Sequence, residues 1–242
     1  MPNPPATPRI PRLRTYVEGL DEKMEGGIPE GNVVLLAGEA GTLKSTLAYH
    51  MVYMNALKEG RRSLYVSMEQ SRDSLVQNME GLGMPRSEVE DRLSIVDLGL
   101  LRKNLSELGT RSWGEVVKMY ARTMKQSHGY EILVLDSLPV LETLATFQNP
   151  RNELFQFFEW IRDLQVTCLL ITEIPTGTHD FGDHGEAYLA DGIIHVMMSR
   201  VNEETMQRRI RIVKMRSSNH STNLFSLLLD RGTFRIARVI ST

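Results

Sequence analysis

The clearest chemical content of this 242-residue chain lies in eight consecutive residues, Gly38-Glu39-Ala40-Gly41-Thr42-Leu43-Lys44-Ser45. A glycine-rich turn followed by Lys and Ser is the pattern of a loop whose backbone N–H groups close around an anion. In such a loop Lys44 reaches the terminal phosphates of a nucleotide, and the Ser45 hydroxyl binds magnesium. Thr46 follows directly, so the phosphate-binding run extends from Gly38 to Thr46. One position departs from the pattern: Leu43 stands where a glycine is expected before the lysine. Gly41 keeps a small residue where the loop crowds the phosphates. Leu43 falls at the start of the next element, where its side chain is expected to point away from the ligand.

Three further groups fit the same chemistry. Asp136 ends the apolar run Ile132-Leu133-Val134-Leu135, and a carboxylate at the carboxyl end of a buried strand is placed to share a magnesium ion with Ser45. Glu69 follows the run Ser63–Met68. There it is a candidate to orient or deprotonate a water attacking the terminal phosphate, or alternatively the first-turn acid of the following helix. Gln70 beside it can position a water but cannot take a proton. Lys214 and Arg216 alternate onto one side of a strand. They suit a phosphate in the same subunit or in a neighbour, or form a solvated basic strand edge. His179 and His184 flank Asp180-Phe181-Gly182-Asp183, a spacing that matches no strong metal-ligand pattern and reads as a polar loop.

The elements that must position these groups follow from periodicity. Val33-Val34-Leu35-Leu36-Ala37 reads as a buried strand running into the glycine-rich loop, and Thr46 to Met54 as the helix leaving it. Strands are expected at Ser63–Met68, Leu93–Asp97, Ile132–Asp136 and Cys168–Thr172. Helices are expected over Ser71–Leu82, opened by Ser71, and over 112–127 and 150–164. Strands spaced by helices predict a mainly parallel sheet covered on both faces. From Asp191 onward, four short strands (193–197, 209–214, 224–229 and 234–236) with a turn at 230–233 predict an antiparallel extension of that sheet. Residues 138–150 and 174–190 read as loops.

Composition bounds the function. Apolar residues make up 41% and charged residues 24%, so the chain is globular. The net charge of -2 gives no general pull toward nucleic acid or an anionic membrane. The single cysteine, Cys168, lies in an apolar run and reads as a reduced, buried thiol. The lack of a long apolar span and of a secretory pattern leads to the expectation of a cytoplasmic protein. Residues 1–13 carry Pro2, Pro4, Pro5, Pro8 and Pro11 and read as a flexible Pro-rich arm, with 14–242 as one domain.

Assembled in this order, the motifs resemble a single-domain member of the KaiC-like branch of the RecA-type ATPases. Gly19-Leu20-Asp21 and Gly26 to Gly31 resemble the family's lead-in to its first strand, and Gly38 to Ser45 its Walker A loop. Met68-Glu69-Gln70 falls where the family carries a Glu-Glu pair. Leu133 to Ser137 resembles its Walker B strand; Tyr188 to Ile194 and Lys214-x-Arg216…His220 resemble its late motifs. The resemblance implies a RecA-type P-loop NTPase three-layer α/β/α fold, binding of ATP and Mg2+, and a homo-oligomeric ring, often a hexamer. It further implies that Lys214 and Arg216 act in trans on the γ-phosphate of the adjacent subunit's ATP. Leu43 and Gln70 depart from the family pattern, so a slow ATPase is expected, with a non-hydrolysing nucleotide sensor or regulatory scaffold as the alternative and a regulatory protein as a possible partner. A DNA recombinase is disfavoured, because 138–150 and 174–190 contain no Lys or Arg to grip a phosphate backbone.

Overall fold

The computed structural model describes residues 10–100, 113–145, 147–175, 181–182 and 184–239. Two short strands, β1 (Arg12–Leu13) and β2 (Ile28–Pro29), pair antiparallel ahead of the main sheet. Most of the expected Pro-rich arm, residues 1–9, lies outside the described residues, and its last two residues form β1.

The run Val33–Gly38 becomes β3, and every one of its residues is buried. Successive side chains point to opposite faces of a strand, and both faces here are covered. Val34 and Leu36 pack with Leu47, Met51 and Val52 of helix α1 (Lys44–Glu59). Val33, Leu35 and Ala37 pack on the other face with residues of α3 (Trp113–His128) and α5 (Pro150–Asp163). This two-sided burial explains why the run is apolar throughout rather than alternating.

The remaining strands are β4 (Ser63–Ser67), β5 (Leu93–Asp97), β6 (Ile132–Asp136), β7 (Thr167–Glu173), β8 (Gly192–Arg200), β9 (Met206–Met215), β10 (Phe225–Asp230) and β11 (Thr233–Arg238). With β3 they form one nine-stranded sheet in the order β11-β10-β9-β8-β3-β7-β6-β4-β5. From β5 to β8 the pairs are parallel; β9, β10 and β11 are antiparallel. The expected fold class, a mainly parallel α/β sheet ending in antiparallel strands, is the one observed. At the β10–β11 hairpin, Arg231 and Gly232 both take positive φ, at 45° and 77°, as a two-residue turn between twisted strands requires.

Helix α2 (Arg72–Gly81) is capped by Ser71, whose hydroxyl accepts from the Ser74 N–H at 3.3 Å. Two segments expected as loops contain helices. Leu138–Ala145 forms α4 and Glu186–Leu189 forms α6. In α4, Pro139 sits in the first turn, where its missing N–H costs nothing. Leu138, Leu141 and Ala145 recur at helical spacing and are buried. Among the described residues no helix is long and apolar enough to cross a membrane.

Candidate functional site

The glycine-rich loop joins the carboxyl end of β3 to the amino end of α1. Two of its residues need left-handed backbone: Gly41 at φ 78° and Leu43 at φ 74°, ψ 28°. The second value gives a physical reason for the glycine that the motif places before the lysine. A branched side chain there carries roughly 1–2 kcal/mol of backbone strain. The Leu43 side chain packs against the core on the α1 side. At the loop's first position, an added Cβ on Gly38 would run into the backbone carbonyl of Val196 on β8, well inside van der Waals contact. The glycine there is a packing requirement of the sheet as much as of the loop. Thr42 closes the loop on itself, its hydroxyl donating to the Glu39 carbonyl at 2.8 Å.

Lys44 is 7% exposed. Its Nζ donates to the Glu39 carbonyl at 2.9 Å and stands 3.9 Å from a carboxylate oxygen of Glu173, at the end of β7. Burial lowers the proton affinity of this amine, while Glu173, Asp136, Glu69 and Glu39 pull it back up. A buried cation held by one neutral carbonyl and one long, half-exposed ion pair is undercompensated, and this is the environment an anionic ligand relieves.

Asp136 ends β6 beside Ser67, the last residue of β4, and the Met68 N–H donates to its backbone carbonyl at 2.8 Å. The Asp136–Ser137 peptide bond is cis. The carboxylate is buried; burial pushes its proton affinity up, and hydrogen bonds from Tyr65 and Ser45 oppose that rise. The Tyr65 hydroxyl donates to Asp136 Oδ2 at 2.6 Å, and Ser45 contacts both groups. Ser45 and Asp136 therefore converge. Their all-oxygen donor set, one hydroxyl and one carboxylate, fits a hard cation such as magnesium. Glu69 lies just past β4, exposed, and the Ser137 hydroxyl donates to its Oε1. Sequence reasoning missed Tyr65, Ser137 and Glu173.

Lys214 and Arg216 are elsewhere. Lys214 on β9 pairs with Ile193 on β8, which pairs with Leu35 on β3. The basic pair therefore sits toward the amino end of β3, about 10 Å back along the strand from Gly38 and two strands to the side. Lys214 Nζ donates to the carbonyls of Ala187 at 2.9 Å and Ala190 at 2.6 Å, at the carboxyl end of α6. Burial and the neighbouring Arg216 lower its proton affinity. Arg216 donates to Asp191 and to the Tyr188 carbonyl. The fold does not bring these cations to the phosphate loop of their own chain. Of the two histidine positions, His179 lies outside the described residues, as do Asp180 and Asp183. No cluster of three or more His, Cys, Asp or Glu able to hold a metal occurs among the described residues.

A parallel sheet carrying a glycine-rich loop between its central strand and first helix, with an acid at the end of a nearby strand, defines a P-loop nucleotide-binding fold. The family model for the KaiC ATPase matches residues 13–238, and the chain belongs to that family. It is 26% identical over 231 residues to the circadian clock protein KaiC2 of Synechocystis, covering 94% of this chain but only 40% of that relative. It is 28% identical to a UPF0273 protein of Thermotoga maritima, covering 88% of this chain and 90% of the relative. It is 30% identical to one from Pyrobaculum aerophilum, covering 88% and 77%. Among solved structures, a KaiC-like protein of Pyrococcus horikoshii superposes with a TM-score of 0.81 at 25% identity, covering 95% of this chain and 100% of that one. Membership of this family supports ATP binding.

Proposed function

We propose that this chain binds ATP with Mg2+ through Gly38–Thr46 and hydrolyses it slowly at the subunit interfaces of a hexameric, cytoplasmic ring, with 14–242 as the ATPase domain. The reading rests above all on one arrangement: Lys44, Ser45 and Asp136 converge at the carboxyl ends of β3 and β6, while Lys214 and Arg216 are bonded elsewhere, to the carbonyls of α6 and to Asp191. Lys44 holds the β- and γ-phosphates. Ser45 and Asp136 hold the magnesium, which supplies charge neutralisation to the phosphates when bound. Glu69, with one carboxylate oxygen accepting from Ser137, orients or deprotonates the attacking water. Lys214 and Arg216 serve the nucleotide of the adjacent subunit. That role requires them to leave the carbonyls of α6 and Asp191, so the fingers are engaged internally until a neighbour's phosphate competes for them.

The mass of the particle with and without ATP-Mg2+, joined to turnover of radiolabelled ATP, tests this. The expected result is a nucleotide-dependent ring with turnover above background, reduced roughly 100-fold or more in Glu69→Gln. A monomer in both states sinks the trans assignment. Tight binding with background turnover, unchanged in Glu69→Gln, makes the chain a nucleotide sensor, the reading that Leu43 and Gln70 favour.

A further inference from the structure

Tyr65 is completely buried in β4, on the α1 face of the sheet, with its ring 6.1 Å from that of Tyr49. It lies opposite Val134 in the β4–β6 ladder, one diagonal step from Asp136, within reach of a long side chain. Its hydroxyl is the donor to Asp136 Oδ2 at 2.6 Å, and the same hydroxyl contacts Ser45. A phenylalanine would fill the same space, so packing alone does not call for the hydroxyl. A carboxylate rotates about its Cβ–Cγ bond, and a short hydrogen bond from a rigid, fully packed phenol stops that rotation. With Oδ2 occupied, one oxygen of Asp136 is left for its other partners.

We propose that Tyr65 is a positioning residue for the cation site: its hydroxyl locks the Asp136 carboxylate so that the remaining oxygen and the Ser45 hydroxyl present a preformed pair of ligands to magnesium. This rests on the assignment of Ser45 and Asp136 as cation ligands. Tyr49 provides the control. Its hydroxyl is also buried, in the same aromatic cluster, and has no hydrogen-bond partner among the described residues.

The test is the binding of a fluorescent ATP analogue to the full chain across a magnesium titration, for the wild type, Tyr65→Phe and Tyr49→Phe. In Tyr65→Phe the magnesium needed for half-maximal tightening rises roughly tenfold, while binding in EDTA and the circular dichroism spectrum stay unchanged. Tyr49→Phe matches the wild type. An unchanged magnesium midpoint in Tyr65→Phe, or an equal shift in both variants, overturns the proposal. A wild type that binds the analogue without any response to magnesium removes the cation assignment itself, and the proposal with it. If Tyr65→Phe does not fold, 3-fluorotyrosine at position 65 read by fluorine NMR decides. A resonance that moves when magnesium joins the nucleotide complex supports the lock, and one that does not move overturns it.

Discussion

Arg216 donates to Oδ1 of Asp191 at 2.8 Å, while Oδ2 of the same carboxylate accepts the Val33 N–H at 3.1 Å. One acid thus ties the first residue of the central strand to Arg216, just past the end of β9. Arg216 is half exposed, so the ion pair itself is worth at most about 1 kcal/mol. The buried Val33 N–H is the costlier partner to orphan, at about 1–3 kcal/mol. Asp191→Ala is expected to lower stability by about 2–3 kcal/mol in urea unfolding, and Asp191→Asn, which keeps an acceptor, by clearly less.

The two glycines of the loop differ in why they are needed. Gly38→Ala drives a methyl group into the Val196 carbonyl and is expected to cost about 3 kcal/mol or more, because β3 and β8 are hydrogen-bonded neighbours that cannot separate. Gly41→Ala meets no atom within 4 Å; it carries only the strain of φ 78°, about 1–2 kcal/mol. Thermal unfolding of both variants checks the ordering, which reverses if sheet packing does not govern position 38.

Leu43 permits an unusual ranking. At φ 74° a β-branched side chain is far worse than an unbranched one. Leu43→Val, the more conservative exchange, is expected to destabilise more than Leu43→Gly. In the latter, relief of strain offsets lost packing to within about 1 kcal/mol. Chemical denaturation of the pair reads this directly.

Burial raises the proton affinity of Asp136 above its ordinary value of 3.8. A carboxyl whose folded pKa exceeds its unfolded one favours folding below the unfolded value, and loses that contribution as pH rises through the folded value. At pH 7 the ionised group is therefore a liability to the nucleotide-free fold. Asp136→Asn is expected to raise the unfolding temperature of the nucleotide-free protein at pH 7, with the gain shrinking as pH falls toward 4. The same variant loses the magnesium response of nucleotide binding. An unfolding temperature that drops at pH 7 would show that the hydrogen bonds from Tyr65 and Ser45 outweigh desolvation.

Much of this was legible in the sequence because local pattern and tertiary role coincide. Ile132–Asp136 falls on its expected residues, since a strand buried on both faces is written as an apolar run, and Leu93–Asp97 does so because Leu93 and Ile95, two apart, mark its one covered face. The helix Leu138–Ala145 was not legible: Leu138-Pro139 after an acid looks like a loop, and only packing against the sheet decides otherwise. Within the site, Lys44, Ser45 and Asp136 announce themselves by spacing. Tyr65 does not, because its contact with Asp136 depends on the β4–β6 register, which no local pattern encodes. The placement of Lys214 and Arg216 at the far end of β3 likewise depends on the pairing of three strands.

The outer strand β11 is not left bare. Glu18 lies alongside it, its N–H donating to the Phe234 carbonyl at 2.9 Å and its carbonyl accepting the Ile236 N–H at 2.9 Å. Two backbone groups that would otherwise template another chain are spent on the protein's own leading segment. Growth of the sheet from copy to copy is thus hindered at these two rungs of the margin, which favours association here through side chains. Such contacts can loosen and re-form without unzipping a backbone ladder.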